Sequence, residues 1–512
     1  MKQKILIGVA FFALAITSCT KLEEKLTGDV NLSSSVTGGA NVPALLKSAY
    51  NSMRSPFQDQ GNLLALGSMS TDELIGPTRG GDWDDNGAWR VIHAHRFDGD
   101  NAHVKDVFSG LGTANFIATD ILRFSPTPQQ AAEARLLRAF AQFLTLDYFD
   151  QVPYREPGES AVGASKVRKG TEALTYIMGE LTAIIATLPD GPVNIANKNA
   201  ARVLLMKCYL NKGAIANRAT PTFDPADMQQ VAALADMITA GPYSFSASYF
   251  DNFAPNNDAI GKENIWTQLN IGGTESGGLR SRWHMTMHYN QAPSGWNGFT
   301  TLSDFYNKFE ATDTRRGVAY AYTSPKAPLN PAKAVNVGFL VGQQYDMTTG
   351  VPLKDRTQAP LIFTPDVKIV EKGTNLEVTG IRAYKYPIDF QNDDNGNVDN
   401  DYVIFRLGDV LLMKAEALLR SNNAPGALLI VNNLRVNRGA SVLNTLTLDN
   451  MIDERGRELY LETWRREDLI RFGKFLLPMQ EKPQTSDAKY LLFPIPNGQL
   501  AANPNLKPNP GY

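Results

Sequence analysis

The feature that most narrows the fold is one strongly written helix. In PQQAAEARLLRAFAQFLTLDYFDQVPY, residues 128–154, Leu137, Phe140 and Leu144 share a face, with the small residues Ala134 and Ala141 beside them. Glu133, Arg135, Arg138 and Gln142 lie mostly elsewhere, and Pro153 prevents the helix from continuing. A first helix is expected in NVPALLKSAYNSM, where Asn41 suits the N-cap, Pro43 suits the first turn, and Val42, Leu45, Leu46 and Ala49 recur at helical spacing. Further helices are expected at about 170–188, 197–212 and 225–240, with LPDGPVN as a breaker. Residues 401–440 read as two helices joined by SNNAPG, and residues 447–475 as another pair capped by Thr447. Paired helices of this kind resemble tetratricopeptide hairpins, irregularly spaced. Residues 242–401 differ: they are rich in Gly, Asn, Pro, Thr and aromatics, and their periodicity is weak. The expectation is a mostly α protein. A tetratricopeptide-like helical scaffold over about 42–241 and 402–476 carries a loop-rich insertion over about 242–401 and an extended carboxyl-terminal segment over 477–512. All of this forms one domain, 42–512.

The first residues read as export signals. Lys2 and Lys4 precede an apolar stretch, residues 5–16, of signal-peptide length. A bilayer span needs about 20 residues. The stretch closes on ITSC, a lipobox pattern, so residues 1–18 are expected to be a lipoprotein signal peptide and Cys19 the lipidated first residue of the mature chain. An ordinary secretory signal is the alternative. Acyl chains add about 0.8 kcal/mol of membrane affinity per buried methylene, so several make a stable anchor. Residues 19–41 are polar and rich in Ser, Gly and Thr, and read as a flexible tether. With Cys19 lipidated, Cys208 has no disulfide partner and reads as a small buried residue. The net charge is −2, with no basic run, which disfavours nucleic acid as a partner and steering of a strongly charged ligand.

Several clusters invite catalytic readings. DERGRELYLETWRRED gathers Glu454, Glu458, Glu462, Arg455, Arg457, Arg465 and Arg466. Ion pairing on the helix surface and between helices accounts for them. Trp464 is expected to pack between helices, and Arg406 and Glu416 fit the same structural reading. His93 and His95 would share one side of a strand in RVIHAHRF. His284 and His288 are four apart, but Met285 stands where a zinc hydrolase needs its glutamate. QNDDNGNVDND, with Asp393, Asn395, Asn397, Asp399 and Asp401, is expected to be a solvated turn. Aligned on Gly396, an EF-hand would place Gln391 first and Tyr402 last, both unsuitable. No cofactor is therefore expected, although the stretch Asp393 to Asp401 leaves room for a loose structural calcium. There is no nucleophile elbow, P-loop or dinucleotide fingerprint, and no carboxylate pair suited to glycoside hydrolysis.

Several ordered stretches together carry a resemblance. They are the lipobox ITSC, STDELIGPTRGGDW, EARLLRAFAQFLTLDYFDQVPY, VIFRLGDVLLMKAEALLR, IDERGRELYLETWRREDLIRFGKF and YLLFPIPNGQLAANPNLKPNPGY. In this order they resemble the SusD/RagB family of outer-membrane lipoproteins, across essentially the whole chain. The resemblance implies a SusD-like fold with no catalytic residues. It implies a protein lipid-anchored in the outer membrane and facing the cell exterior, with Glu23 and Glu24 consistent with that export. It further implies capture of a glycan and delivery to a SusC-like TonB-dependent transporter. Peptide capture, as in some relatives, is the alternative; a surface-anchored glycoside hydrolase is the remoter one.

The ligand face is then sought among aromatic residues. A sugar offers an apolar C–H face to an aromatic ring and hydroxyls to Asp, Asn, Arg or Gln. A well-placed ring contributes roughly 0.5–1.5 kcal/mol beyond its buried area. TDELIGPTRGGDWDDNGAW supplies Asp72, Arg79, Asp82, Trp83 and Asn86, with Asp84 beside them. RWHMTMHYNQAPSGWNGF supplies Trp283, Tyr289 and Trp296, with Asn290 and Asn297. In the resembled family these two regions form the ligand face. Trp83 is the expected ligand contact, whereas Trp89 is expected to point into the core.

Overall fold

A computed structural model describes residues 40–328 and 335–512. The signal segment, Cys19 and the tether through residue 39 lie outside these residues. Ten helices form the scaffold: α1 (Val42–Ser52), α2 (Ala102–Ile121), α3 (Pro128–Phe149), α4 (Gly170–Ile184), α5 (Lys198–Ala216), α6 (Pro225–Thr239), α7 (Leu407–Arg420), α8 (Ala424–Asn437), α9 (Leu448–Leu459) and α10 (Arg465–Arg471). From α1 to α8 each packs on the next in chain order; α9 then returns to α7 and carries α10. That sequence of neighbours is what stacked helical hairpins produce. The caps are local: Thr127 and Gln130 form a capping box at α3, Thr447 and Asn450 another at α9, and Asn197 and Asp224 cap α5 and α6. Helix α3 ends before Pro153, at Asp150, which takes a left-handed conformation.

Strands are short and scattered. β1 (Gln151–Tyr154) pairs with β2 (Lys166–Lys169). β3 (Asn264–Gln268) pairs antiparallel with β9 (Tyr402–Arg406), joining the start of the loop-rich region to its end. β4 (Gly317–Val318), β5 (Val337–Leu340) and β8 (Arg382–Tyr384) form a three-stranded sheet, and β6 (Gly342–Gln343) pairs with β7 (Ile362–Phe363). The carboxyl-terminal segment straps back onto α3 and β1. Phe493 N–H donates to Tyr148 O at 2.8 Å, and the Asn509 amide donates to Phe149 O and Phe493 O. Cys208 lies in the core, where burial pushes its thiol well up.

Three expectations are corrected. Residues 90–93 form a helical turn, not a strand: Trp89, Ile92 and His93 point inward together, at i, i+3 and i+4. The acidic turn is solvated only in part: Asp394, Asn395 and Asp399 are exposed, but Asp393 and Asp401 are docked. Asp393 Oδ1 accepts Trp283 Nε1–H at 2.8 Å and lies 2.8 Å from His284 Nε2, while Asp401 accepts Asn270 N–H and the Thr267 hydroxyl, both at 2.8 Å. Burial pushes Asp401 up to about 6.

The charged helices bear out the expected ion pairing within and between elements, but as the third correction these pairs are buried, not on the surface. Glu458 accepts from Arg315 (3.0 Å), Arg406 (2.5 Å) and Arg438 (2.8 Å), and Glu454 from Arg315, Arg435 and Arg457. A second cluster joins Glu416 and Asp468 to Arg471 and Asp409 to Lys207 and Arg455. Burial opposes ionisation here, but the guanidiniums win and hold Glu454 and Glu416 down at about 2. Gly408 makes the first cluster possible, since a Cβ there would stand 2.5 Å from both Arg406 Nη1 and Glu458 Oε1. Trp464 packs as expected between elements, stacked on Phe405 with the Lys207 ammonium 3.6 Å from the ring centroid. Arg406 ends β9, so it precedes α7 rather than lying within a helix.

Candidate functional site: an aromatic face on the loop-rich region

The loop at residues 79–89 bends through positive φ at Arg79, Gly80, Gly81, Asp85, Asn86 and Gly87. Arg79 anchors it from below. Its guanidinium is buried, pairs with Glu371 at 3.3 Å and donates to Gly298 O, Leu376 O and the Thr379 hydroxyl. Burial pulls it down to about 10, against the pull of Glu371. Arg79 therefore joins the two segments expected to bear a ligand instead of presenting donors to solvent.

Trp83 stands on this anchor, half-buried. Its Nε1–H donates to Trp296 O at 3.1 Å, and its ring meets Phe299 edge-on at 5.0 Å. Gly298 makes the approach possible, because a Cβ there would lie 2.5 Å from the Trp83 ring. Trp296 is also half-buried, its ring 5.4 Å from that of His284. Tyr289 begins the same tight loop, in which Gly295 N–H returns to His288 O and the Ser294 hydroxyl donates to Tyr289 O. The charge of Asp82, which is exposed, acts on Tyr289. The structure thus brings Asp82, Trp83, Tyr289 and Trp296 to one face, with Asn86 exposed on the adjoining bend.

Two expected site residues fall elsewhere. Asp72 is bound bidentately by Arg465, at 2.8 Å to each oxygen, and Arg465 holds it below the usual carboxylate range despite burial. Its hydrogen-bonding capacity is spent on the scaffold. Trp283 is 0% exposed, with its indole N–H committed to Asp393. Trp89 is buried as expected, stacked on His103 at 4.0 Å and donating to Asp85 at 2.5 Å. Asn297 is buried as well. Neither histidine pair converges on a metal: His93 and His95 face the backbone carbonyls of Met69, Gln480 and Ser70, and His288 faces Glu377 at 2.9 Å. Among the described residues, no group of three or more His, Cys, Asp or Glu side chains is arranged to hold a metal ion.

The arrangement suits binding rather than bond cleavage. Glycoside hydrolysis needs two carboxyls across the scissile bond, one kept protonated. Near this face Asp84 is ion-paired to Arg90, which pulls it down, and Glu377 is held below its usual range by His288 and Arg356 against burial. Glu73, pushed up to about 8 by burial, is 2% exposed and donor-bound to Leu461 N–H. No substrate reaches it. Sequence reasoning missed Glu371, Thr379, Glu377 and Arg356, which support this face through contacts spanning 21 to 300 positions; no local motif marks them.

Comparisons with known proteins agree with this architecture. The sequence profile described as the SusD family matches residues 262–512. The starch-binding protein SusD of Bacteroides thetaiotaomicron is 26% identical over 428 residues, covering 77% of this chain and 75% of the relative. Surface glycan-binding protein A from Bacteroides uniformis superposes with a TM-score of 0.68 at 18% identity, over 91% of this chain and 98% of that one. A laminarin-binding SusD-like protein superposes with a TM-score of 0.69 at 19% identity, over 92% and 99%. The fold they share is mostly helical, with small scattered sheets.

Proposed function

Since the chain belongs to the SusD/RagB family, whose members are non-catalytic binding proteins, we propose that it captures a glycan at the cell surface and passes it to a SusC-like TonB-dependent transporter. The observation that carries the reading is the presence of two half-buried indoles on one face, Trp83 and Trp296, with the Trp83 Nε1–H donating to the backbone carbonyl of Trp296. Exposed indole surface at a rigid site is costly in water and useful against the C–H face of a sugar. Asp82 and Asn86 supply hydroxyl partners beside it. Names of relatives support the ligand class: one is starch-binding, one surface glycan-binding, one laminarin-binding. Outer-membrane anchoring through a lipid on Cys19 and the transporter partner rest on the family resemblance. Peptide capture is the second reading; it would draw on exposed strand edges and charged rims more than on paired indoles.

Retardation in native gels cast with starch, laminarin or xyloglucan, beside pull-down of a peptide mixture, tests this. Retardation by at least one polysaccharide, without release of reducing ends, is expected. Peptide retention alone would replace the glycan reading, and reducing-end release would overturn the non-catalytic one.

A further inference from the structure

Above the aromatic face stands a charged side chain that neither the motifs nor the relatives point to. The Arg356 guanidinium lies 4.1 Å from the Tyr289 ring centroid, its side chain 54% exposed. Its Nε–H donates to Glu377 Oε1 at 2.5 Å, and among the described residues its Nη1 and Nη2 groups have no partner. Glu377 is itself fixed. Its Oε2 lies 2.9 Å from His288 Nε2, and His288 Nδ1 accepts Asn290 N–H at 3.0 Å, so Nε2 carries the proton and donates. The turn bearing Arg356 is closed by Asp355, which accepts from Thr357 N–H at 2.8 Å and Ala359 N–H at 3.1 Å.

A long side chain normally loses much rotamer freedom when it binds. Here the guanidinium plane is already set, one edge spent on Glu377 and the other edge open. A planar fork with two free N–H-bearing nitrogens matches two adjacent oxygens. The electrostatics select among such oxygen pairs. Asp82 and Glu377 act on Tyr289 beside Arg356 and Arg79, Glu371 is paired to Arg79, and the buried Arg382 is the third cation near Tyr289, so acids and bases are balanced here; Asp82 is exposed and acts on both Tyr289 and Arg356. Donor and acceptor side by side suit neutral hydroxyls better than a carboxylate or sulfate.

Resting on the glycan reading above, we propose that Arg356 is a specificity-determining residue that reads a free vicinal diol of a neutral sugar stacked at Trp83 and Trp296, and that Tyr289 is a positioning residue for Arg356 rather than a stacking platform for sugar. The side chain of Tyr289 then acts through its ring face, and its hydroxyl is dispensable.

The test is calorimetric titration of the full protein with maltohexaose, laminarihexaose and a xyloglucan oligosaccharide. It compares wild type, Arg356→Ala, Arg356→Lys, Tyr289→Ala, Tyr289→Phe and the Arg356→Ala/Tyr289→Ala pair, each checked for an unchanged melting temperature. Roughly tenfold weaker binding is expected for Arg356→Ala, little recovery in Arg356→Lys, retention in Tyr289→Phe, and a double variant no weaker than Arg356→Ala alone. Unchanged affinity in Arg356→Ala overturns the inference while leaving the glycan reading standing. Additive losses in the double variant overturn the positioning role of Tyr289. A wild type that binds none of the three sugars, nor starch, laminarin or xyloglucan in gels, overturns the glycan reading and this inference with it.

Discussion

Two regions of this molecule reverse the usual placement of side chains. Around α9 and α10, carboxylates and guanidiniums fill the interior, with Glu454, Glu458, Arg455 and Arg466 all at 0% exposure. At the aromatic face, indoles stand half in solvent while the arginine beneath them is buried. The buried carboxylates Glu454, Glu458 and Glu416 each meet more than one guanidinium, and the low values of Glu454 and Glu416 show carboxylates committed to staying ionised. The exposed rings are rigid but unsatisfied on one side. Charge inside therefore serves the scaffold here, and the aromatic surface outside is the part proposed to meet the ligand. Reactive-looking residues are the poorer guide to function in this chain.

The comparison can be broken at either end. The largest effect is expected in the buried network. Glu458→Ala leaves Arg315, Arg406 and Arg438 without their shared carboxylate, and removing one partner of a buried ion pair costs about 3–5 kcal/mol. Urea unfolding measures it; sugar affinity of the folded fraction is expected to stay unchanged. The wild-type network also has a pH signature. Glu454 and Glu416 sit at about 2 when folded, below the ordinary 4.5, so their stabilisation is complete above about pH 4.5 and is lost as pH falls toward 2.

Glu73 has the opposite sign. Its folded value of about 8 lies above the ordinary 4.5, so the native state binds its proton more tightly, and stability falls as pH rises from about 4.5 to about 8. Glu73→Gln removes that dependence. Its melting temperature relative to wild type is expected to rise between pH 5 and pH 9, by the equivalent of a few kcal/mol; a pH-independent difference would contradict the assignment. A smaller effect separates the two kinds of tryptophan. Trp283→Phe removes the donor to Asp393 and is expected to cost about 1–3 kcal/mol of stability, with sugar binding retained.

Much of this was legible in the sequence where physics is local. The period of Leu137, Phe140 and Leu144, the caps at Thr127 and Thr447, and the stop before Pro153 specify helices and their ends from neighbours in the chain. Trp89 is buried as expected, but through the helical turn that carries Ile92 and His93 inward with it, not through the strand alternation on which the expectation rested. Trp283 and Asp72 could not be placed, because their burial is decided by Asp393 and Arg465, 110 and 393 positions away. The same holds for Arg356. Nothing in VPLKDRTQAP marks it as a ligand residue, and only the fold sets it over Tyr289 and against Glu377. The charged helix misled in one respect: i,i+3 and i,i+4 spacing identifies ion pairs but does not tell an exposed face from one enclosed by Arg315, Arg406 and Arg438.

The central claim is that the Trp83–Trp296 face holds the sugar. Calorimetric titration of Trp83→Ala against whichever oligosaccharide the wild type binds tests it most directly, with folding verified by an unchanged unfolding transition. The expected result is a loss of about 1–2 kcal/mol or more in binding free energy. Wild-type affinity in Trp83→Ala would contradict the account.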